Sequence, residues 1–231
     1  SRRLAVAGQE HLLEGVESLE TATRERFESQ LESIDWDNLQ GLAGASEDGL
    51  AKRVAGLVEA GTLPGLPHLV QQPEADSDQA RSRGEELLAA GRVAVVTVAG
   101  GRGSRLGSDR PKGLLPVMPV SGRTFFGHFA AAIGERSRRA GRAIPWLVMT
   151  SRETDAATRG YFQQQGFFGL DPEQVMFFEQ GTMPAVDAVS GRVLLAGPGQ
   201  LALSPDGHGG LVEAMRRTGM FGWLGDRGVD T

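Results

Sequence analysis

Between residues 99 and 113 the chain reads AGGRGSRLGSDRPKG, in which Gly100, Gly101, Gly103 and Gly107 alternate with Arg102, Arg105, Arg110 and Lys112. Glycines this close together let backbone N–H groups converge on an anion, because no Cβ blocks the approach. The interleaved cations supply charge that phosphate oxygens attract. Only Lys52 and Lys112 are lysine among the 24 basic residues. Lys112 therefore places a compact, three-donor point charge in a loop otherwise served by the flat fork of arginine. Two further residues could recognise such a ligand. Gln180 ends a strand-like run, and its amide carries the donor and acceptor that a base edge pairs with. His208 lies between Gly207 and Gly209 in SPDGHGG, just ahead of a helical pattern whose N-terminus favours anions. Asp206 reads as part of an Asp-Gly turn rather than as a metal ligand, and Phe167 and Phe168 as core rather than a base-stacking shelf.

Two known phosphate cradles fail at this loop. A dinucleotide fingerprint counted from Gly101 needs glycine at position 106, which is Leu106. It also needs an acid about 20 residues on, and none occurs between Asp109 and Glu135. A P-loop requires Gly-Lys-Ser/Thr opening a helix, whereas here Lys112 follows Pro111 and precedes Gly113.

The elements that must position these residues are legible in the surrounding pattern. VAVVTVA (93–99) predicts a β-branched strand buried on both faces, and IPWLVMTS (144–151) and VMFFEQG (175–181) predict two more. EELLAAG (85–91) predicts a short helix closed by Gly91. Thr124 is placed to cap a helix running to about Gly141, and Thr154 to cap another from there to about Gly169. AVDAVSGRVLLA predicts a hairpin around Ser190-Gly191, and LVEAMRRTG a final helix. Strands alternating with helices imply a mostly parallel α/β sheet covered on both faces. In such a sheet, ligands bind beyond the carboxyl ends of the strands, where the glycine loop lies. Residues 8–42 carry apolar positions at helical spacing (Leu12, Leu13, Val16, Leu19, then Phe27, Leu31, Ile34), predicting a pair of packing helices with His11 at the surface or in the packing. Residues 43–82 read as a short helix followed by a loop or linker. The expected division is an N-terminal helical segment and linker, 1–84, and a nucleotide-binding α/β domain, 85–231.

Composition narrows the class. The 231 residues are 40% hydrophobic with a net charge of −5, and no cysteine is present, which excludes disulfides and thiolate chemistry. Residues 1–90 hold 8 basic against 17 acidic groups and residues 91–231 hold 16 against 12, so the second part suits an anionic ligand better. No apolar run nears the ~20 residues of a membrane span. A cytoplasmic protein without membrane or nucleic-acid partners is expected; the oligomeric state is left open.

The run AGGRGSRLGSDRPK resembles the sugar-1-phosphate nucleotidyltransferases. MTSRETDAATRGYF (149–162), FFEQGTMPAV (177–186) and SPDGHGG (204–210) narrow the resemblance to the UDP-sugar pyrophosphorylase family, and GQEHLL (8–13) and QLESIDWDNL (30–39) are similar to that family's helical lead-in. The resemblance implies a Rossmann-like, GT-A-like fold and a reaction of UTP with a sugar 1-phosphate, N-acetylglucosamine 1-phosphate or glucose 1-phosphate, giving UDP-sugar and pyrophosphate. It implies that the backbone of Val98, Ala99, Gly100 and Gly101 beds the nucleotide and that Arg105 and Lys112 hold triphosphate oxygens. Gln180 would read the uracil edge, Gly207 would pack on the base and His208 would meet the sugar phosphate. Asparagine stands at position 208 in the acetylhexosamine enzymes, and histidine is similar to the glucose type. Mg²⁺ is implied as cofactor, on an aspartate expected beyond Thr231; Asp230 does not match it. The chain thus reads as the N-terminal part of an enzyme, inactive by itself, with an unpaired sheet edge. The alternative is a non-catalytic nucleotide-binding domain that keeps the phosphate cradle.

Overall fold

A computed structural model describes residues 2–32, 34, 36, 39, 76–187 and 189–230. In chain order its helices and strands begin with α1 (Arg2–Val6), α2 (Thr21–Glu32), α3 (Asp76–Ala89), β1 (Val95–Val98), α4 (Phe125–Ala140), β2 (Trp146–Thr150) and α5 (Asp155–Gln164). There follow β3 (Val175–Glu179), β4 (Thr182–Pro184), β5 (Leu195–Gly197), β6 (Gln200–Leu201), β7 (Leu203–Pro205), α6 (Leu211–Arg217) and α7 (Met220–Gly225). The chain divides into two compact units, one of Ser1–Gln71 with Thr182–Ser204, the other of Gln72–Gly181 with Pro205–Thr231. The expected cut after residue 84 falls inside α3, which starts well before the predicted position 85, and residues 182–204 group with the N-terminal segment. Much of the predicted linker, residues 43–75, lies outside the described residues.

The second unit is built on a parallel sheet in the order β1-β2-β3. Val98 stands opposite Met149, and Met149 opposite Phe178. Because side chains alternate along a strand, the two faces have separate cores. Trp146, Val148 and Val175 pack with Phe126, Ala130 and Ile133 of α4 and Phe162 of α5. Leu147, Met149 and Phe178 pack on the other face with Ala214 and Met215 of α6 and Met220 and Leu224 of α7. Helices on both faces of a parallel sheet are what the sequence predicts. All three predicted strands form; burial holds for β2, every residue of which is buried, but burial on both faces does not hold for β1. Among the described residues β1 pairs only with β2, and Val96 is 37% exposed.

Thr124 caps α4 by accepting from the Gly127 amide at 3.2 Å, and Gly141 ends the helix in the left-handed region. Thr154 does precede α5, but its side chain accepts no hydrogen bond from the first helical amides; its hydroxyl is used elsewhere. Phe167 and Phe168 pack half-buried against the α4–α5 core as expected, yet hold φ of 51° and 56°, values that side chains with a Cβ seldom adopt.

In the first unit Leu4, Leu12, Phe27, Leu31, Val193 and Leu201 form one core. The predicted helical pair is only half realised. Gly8 and Gly15 sit at φ of 66° and 72° and break the first helix into two 3₁₀ turns, Glu10–Leu13 and Val16–Ser18, leaving α2 as the continuous helix. His11 is a packing residue, its Nε2 hydrogen-bonded to the Val193 carbonyl at 2.8 Å. The predicted hairpin forms: Val186 bridges Val193, and Asp187 accepts from the Ser190 amide and hydroxyl, which hold its carboxyl below the usual range.

Phe162, fully buried, lies 5.0 Å from the ring of Phe126, 5.2 Å from Trp146 and 4.9 Å from Phe177. Phe162→Ala is therefore expected to cost about 3–5 kcal/mol in chemical denaturation. Glu135, held by hydrogen bonds from Arg138 and then Arg139, has its carboxyl lowered from 4.5 to about 2. A carboxyl depressed on folding stabilises fully above its ordinary pKa and ceases to as pH falls through the folded value. The Tm difference between wild type and Glu135→Gln is thus expected at pH 7 and markedly narrowed at pH 3; solvent exposure keeps it small.

Candidate functional site

In the second unit the strands deliver three chain segments to the same end of the sheet. The parallel ladder runs one residue past each strand: the Ala99 amide donates to Met149 O at 2.7 Å, and the Gln180 amide to Thr150 O at 2.9 Å. Beyond Ala99 the glycine loop folds back on itself. Arg102 bridges Pro111, the Gly103 amide donates to Arg110 O at 2.9 Å, and the Lys112 amide donates to Gly101 O at 3.0 Å. The loop thus returns Lys112 to the backbone it left at Gly101.

A cleft of about 360 Å³ opens there, lined by Val98, Ala99, Gly100, Gly101, Lys112, Gln180, Gly207 and His208, with Phe126, Phe129 and Pro205 among its apolar walls. Eight of the nine residues picked out in the sequence meet in this one place. The ninth, Arg105, has its backbone in the 3₁₀ turn Ser104–Leu106, and its side chain lies outside the described residues. Lys112 is exposed, and no carboxylate pairs with it among the described residues, so its charge is available to a ligand. Arg102, by contrast, is engaged by Asp109 at 3.3 Å and Glu153 at 3.6 Å. Gln180 is only 9% exposed and lies flat on the loop: a Cβ built on Gly100 would stand 2.6 Å from its Oε1. Glycine at 100 is what admits the amide.

Two buried hydroxyls shape the bed, Ser151, which the sequence did not single out, and Thr154, which it marked only as a helix cap. Ser151 Oγ donates to Gly100 O at 3.0 Å, and Thr154 Oγ1 faces Ala99 O at 3.4 Å while accepting from the Ser151 amide at 3.0 Å. In a trans peptide the N–H points opposite to the C=O. Tying both carbonyls down on the β2 side therefore turns the Gly100 and Gly101 amides the other way, and neither donates to another described residue. Thr-Ser at a strand's carboxyl end with Thr three residues on was the available signal; its meaning depends on which strand lies alongside.

A metal is harder to seat. Among the described residues no carboxylate lines the cleft and no three His, Asp or Glu side chains cluster, so the residues present do not fit a Mg²⁺ centre.

A glycine-rich loop and an inward amide at the carboxyl ends of a parallel sheet define an α/β domain with its ligand cleft at the strand ends. The chain belongs to the UTP–glucose-1-phosphate uridylyltransferase family, whose model matches residues 50–231. UDP-N-acetylglucosamine pyrophosphorylase of Saccharomyces cerevisiae is 35% identical over 96% of this chain and 49% of its own length. UDP-N-acetylhexosamine pyrophosphorylase-like protein 1 of Mus musculus is 32% identical over 99% and 47%. The crystal structure of uridine diphosphate N-acetylglucosamine pyrophosphorylase from Trypanosoma brucei, in complex with an inhibitor, aligns with a TM-score of 0.71 at 25% identity, over 99% of this chain and 48% of that one. The chain spans about half the length of the curated relatives it matches.

Ser151→Ala is expected to destabilise the protein by about 1–3 kcal/mol, because the Gly100 carbonyl and the Thr154 hydroxyl lose a buried partner. Hydrogen exchange at Lys112, whose amide donates to the Gly101 carbonyl, should quicken with it. Unfolding in urea and amide exchange read the two effects separately.

Proposed function

We propose that the cleft binds UTP and a sugar 1-phosphate and belongs to an enzyme that joins them into UDP-sugar and pyrophosphate. The observation that carries this reading is the convergence of Gln180, Lys112 and His208 on a bed of backbone amides. An amide can read a base edge, a cation can hold phosphate oxygens and an imidazole can meet a second phosphate. In the reaction an oxygen of the sugar phosphate forms a bond to the α-phosphorus of UTP. The bond from that phosphorus to the bridging oxygen breaks, and pyrophosphate leaves with the electron pair. The nucleophile is already an anion, so no general base is needed; the protein's task is to align two polyanions and offset their charge. Lys112 and the Gly100 and Gly101 amides are suited to that task, and Arg105 joins them in this proposal from the adjoining turn. Mg²⁺, expected for chemistry of this class, finds no ligand set in the cleft, and no step above runs through it.

Support for the sugar divides. The sequence relatives named above are N-acetylglucosamine and N-acetylhexosamine pyrophosphorylases, which favours N-acetylglucosamine 1-phosphate. His208, where asparagine is expected for acetylhexosamines, favours glucose 1-phosphate. We place the reaction in the cytoplasm: the chain has no cysteine to require an oxidising compartment, and no described helix is long and apolar enough to cross a membrane.

Calorimetric titration with UTP, CTP, ATP and GTP is expected to show selective binding of UTP, and Lys112→Ala to weaken it by at least about tenfold, as loss of a charge-assisted contact should. Unchanged affinity in that variant would remove Lys112 from the site. Pyrophosphate release from UTP with each sugar phosphate then separates an enzyme from a binding domain and ranks the two sugars.

A further inference from the structure

Asp206 was read in the sequence as an ordinary turn residue, and the structure gives it more to do. Its amide donates to the Gly181 carbonyl at 3.1 Å, tying the start of the Gly207–Gly210 turn to the residue after Gln180. Its carboxylate is wedged between two glycines: a Cβ at Gly181 or at Gly210 would overlap it. At Gly207 and Gly209, in the same turn, a Cβ would meet nothing within 4 Å. The close fit is thus confined to the two glycines that flank the carboxylate. One carboxylate oxygen, Oδ1, is buried and has no hydrogen-bond partner among the described residues. Buried acceptors are nearly always partnered, and one kept without a partner marks a place where something other than stability sets the residue.

We propose that Asp206 is a positioning residue, a clasp that seats the Gly207–His208 turn against the Gln180–Gly181 segment so that the base-reading amide and the phosphate-facing imidazole are held as one unit. The proposal rests on the function given above for what the two groups bind, but the clasp is a property of the free chain. A carboxylate lodged between two α-carbons fixes the spacing of both segments at once. Gln180 is in turn pinned on Gly100, so the clasp extends to the glycine loop.

The test compares wild type with Asp206→Asn, Asp206→Ala, Gly209→Ala, Gly210→Ala and the double variant Asp206→Ala/Gly210→Ala. For each, the UTP-to-CTP affinity ratio, Tm and amide exchange without nucleotide are measured. Asp206→Ala and Gly210→Ala are each expected to lower the ratio by about tenfold, the scale of one misplaced hydrogen bond, with little loss of Tm. Asp206→Asn, which keeps the shape, should restore it, and Gly209→Ala should match wild type. The double variant should be no worse than either single one, since the overlap is gone. A lowered Tm with an unchanged ratio in Asp206→Ala would reduce the residue to a structural role and overturn the proposal. If wild type itself shows no preference for UTP, the functional reading falls and exchange alone decides. Faster exchange at both 180–182 and 206–210 in Asp206→Ala then sustains the clasp, and a change confined to one segment refutes it.

Discussion

The parallel pairing of β1, β2 and β3 is the constraint on which the cleft depends. Val98, Met149 and Phe178 share one row of the sheet, and the ladder's last two bonds lie beyond the strands, at Ala99 and Gln180. A shift of one residue in either pairing would turn every strand side chain to the opposite face, exchanging the two cores. It would also carry Ser151 away from Gly100 and Gln180 away from the loop. Burial of Trp146, Leu147, Val148 and Met149, all at 0% exposure, makes such a shift prohibitive. Register, set by hydrophobic burial, is thereby converted into the placement of polar atoms.

The cleft and the core are not separate structures. Phe126 belongs to the cluster under α4 and also lines the cleft, next to the turn that carries Lys112. The glycine bed of the cleft is backbone, and its Ala99 and Gly100 carbonyls are positioned by neighbouring hydroxyls rather than by their own side chains. Preorganised dipoles of that kind need little rearrangement when charge arrives. The side-chain part of the electrostatics is left to the exposed Lys112.

Much of this was legible in the sequence, for reasons that are local. β-branched runs announced the strands, Thr124 announced its helix, and the glycine–cation spacing announced the loop. What escaped reading is what depends on a neighbour far along the chain. Ser151 and Thr154 are ordinary polar residues until β1 is known to lie beside them. The exposed face of β1 is a matter of sheet order, and VAVVTVA is written in the same alphabet as a central strand. The helical spacing of Leu12, Val16 and Leu19 carries no sign that the backbone turns left-handed at Gly8 and Gly15. Residues 182–204 joined the first unit against the order of the chain, which no window of periodicity can foresee.

That last arrangement bears on how the protein is made. Gln9 accepts from the Val193 amide at 2.8 Å and donates to the Gly191 carbonyl at 3.0 Å, across more than 180 residues of chain. On the ribosome, Leu12, Phe27 and Leu31 emerge first and wait for Val193 and Leu201 to complete their core. The other unit is interrupted in its turn, and α6 and α7 reach one face of its sheet only after the whole of residues 182–204 has been made. Neither half can be finished and set aside while the other is synthesised. Contacts this distant in sequence slow folding and leave apolar surface uncovered during synthesis, so the nascent chain is the state of this protein most in need of a chaperone.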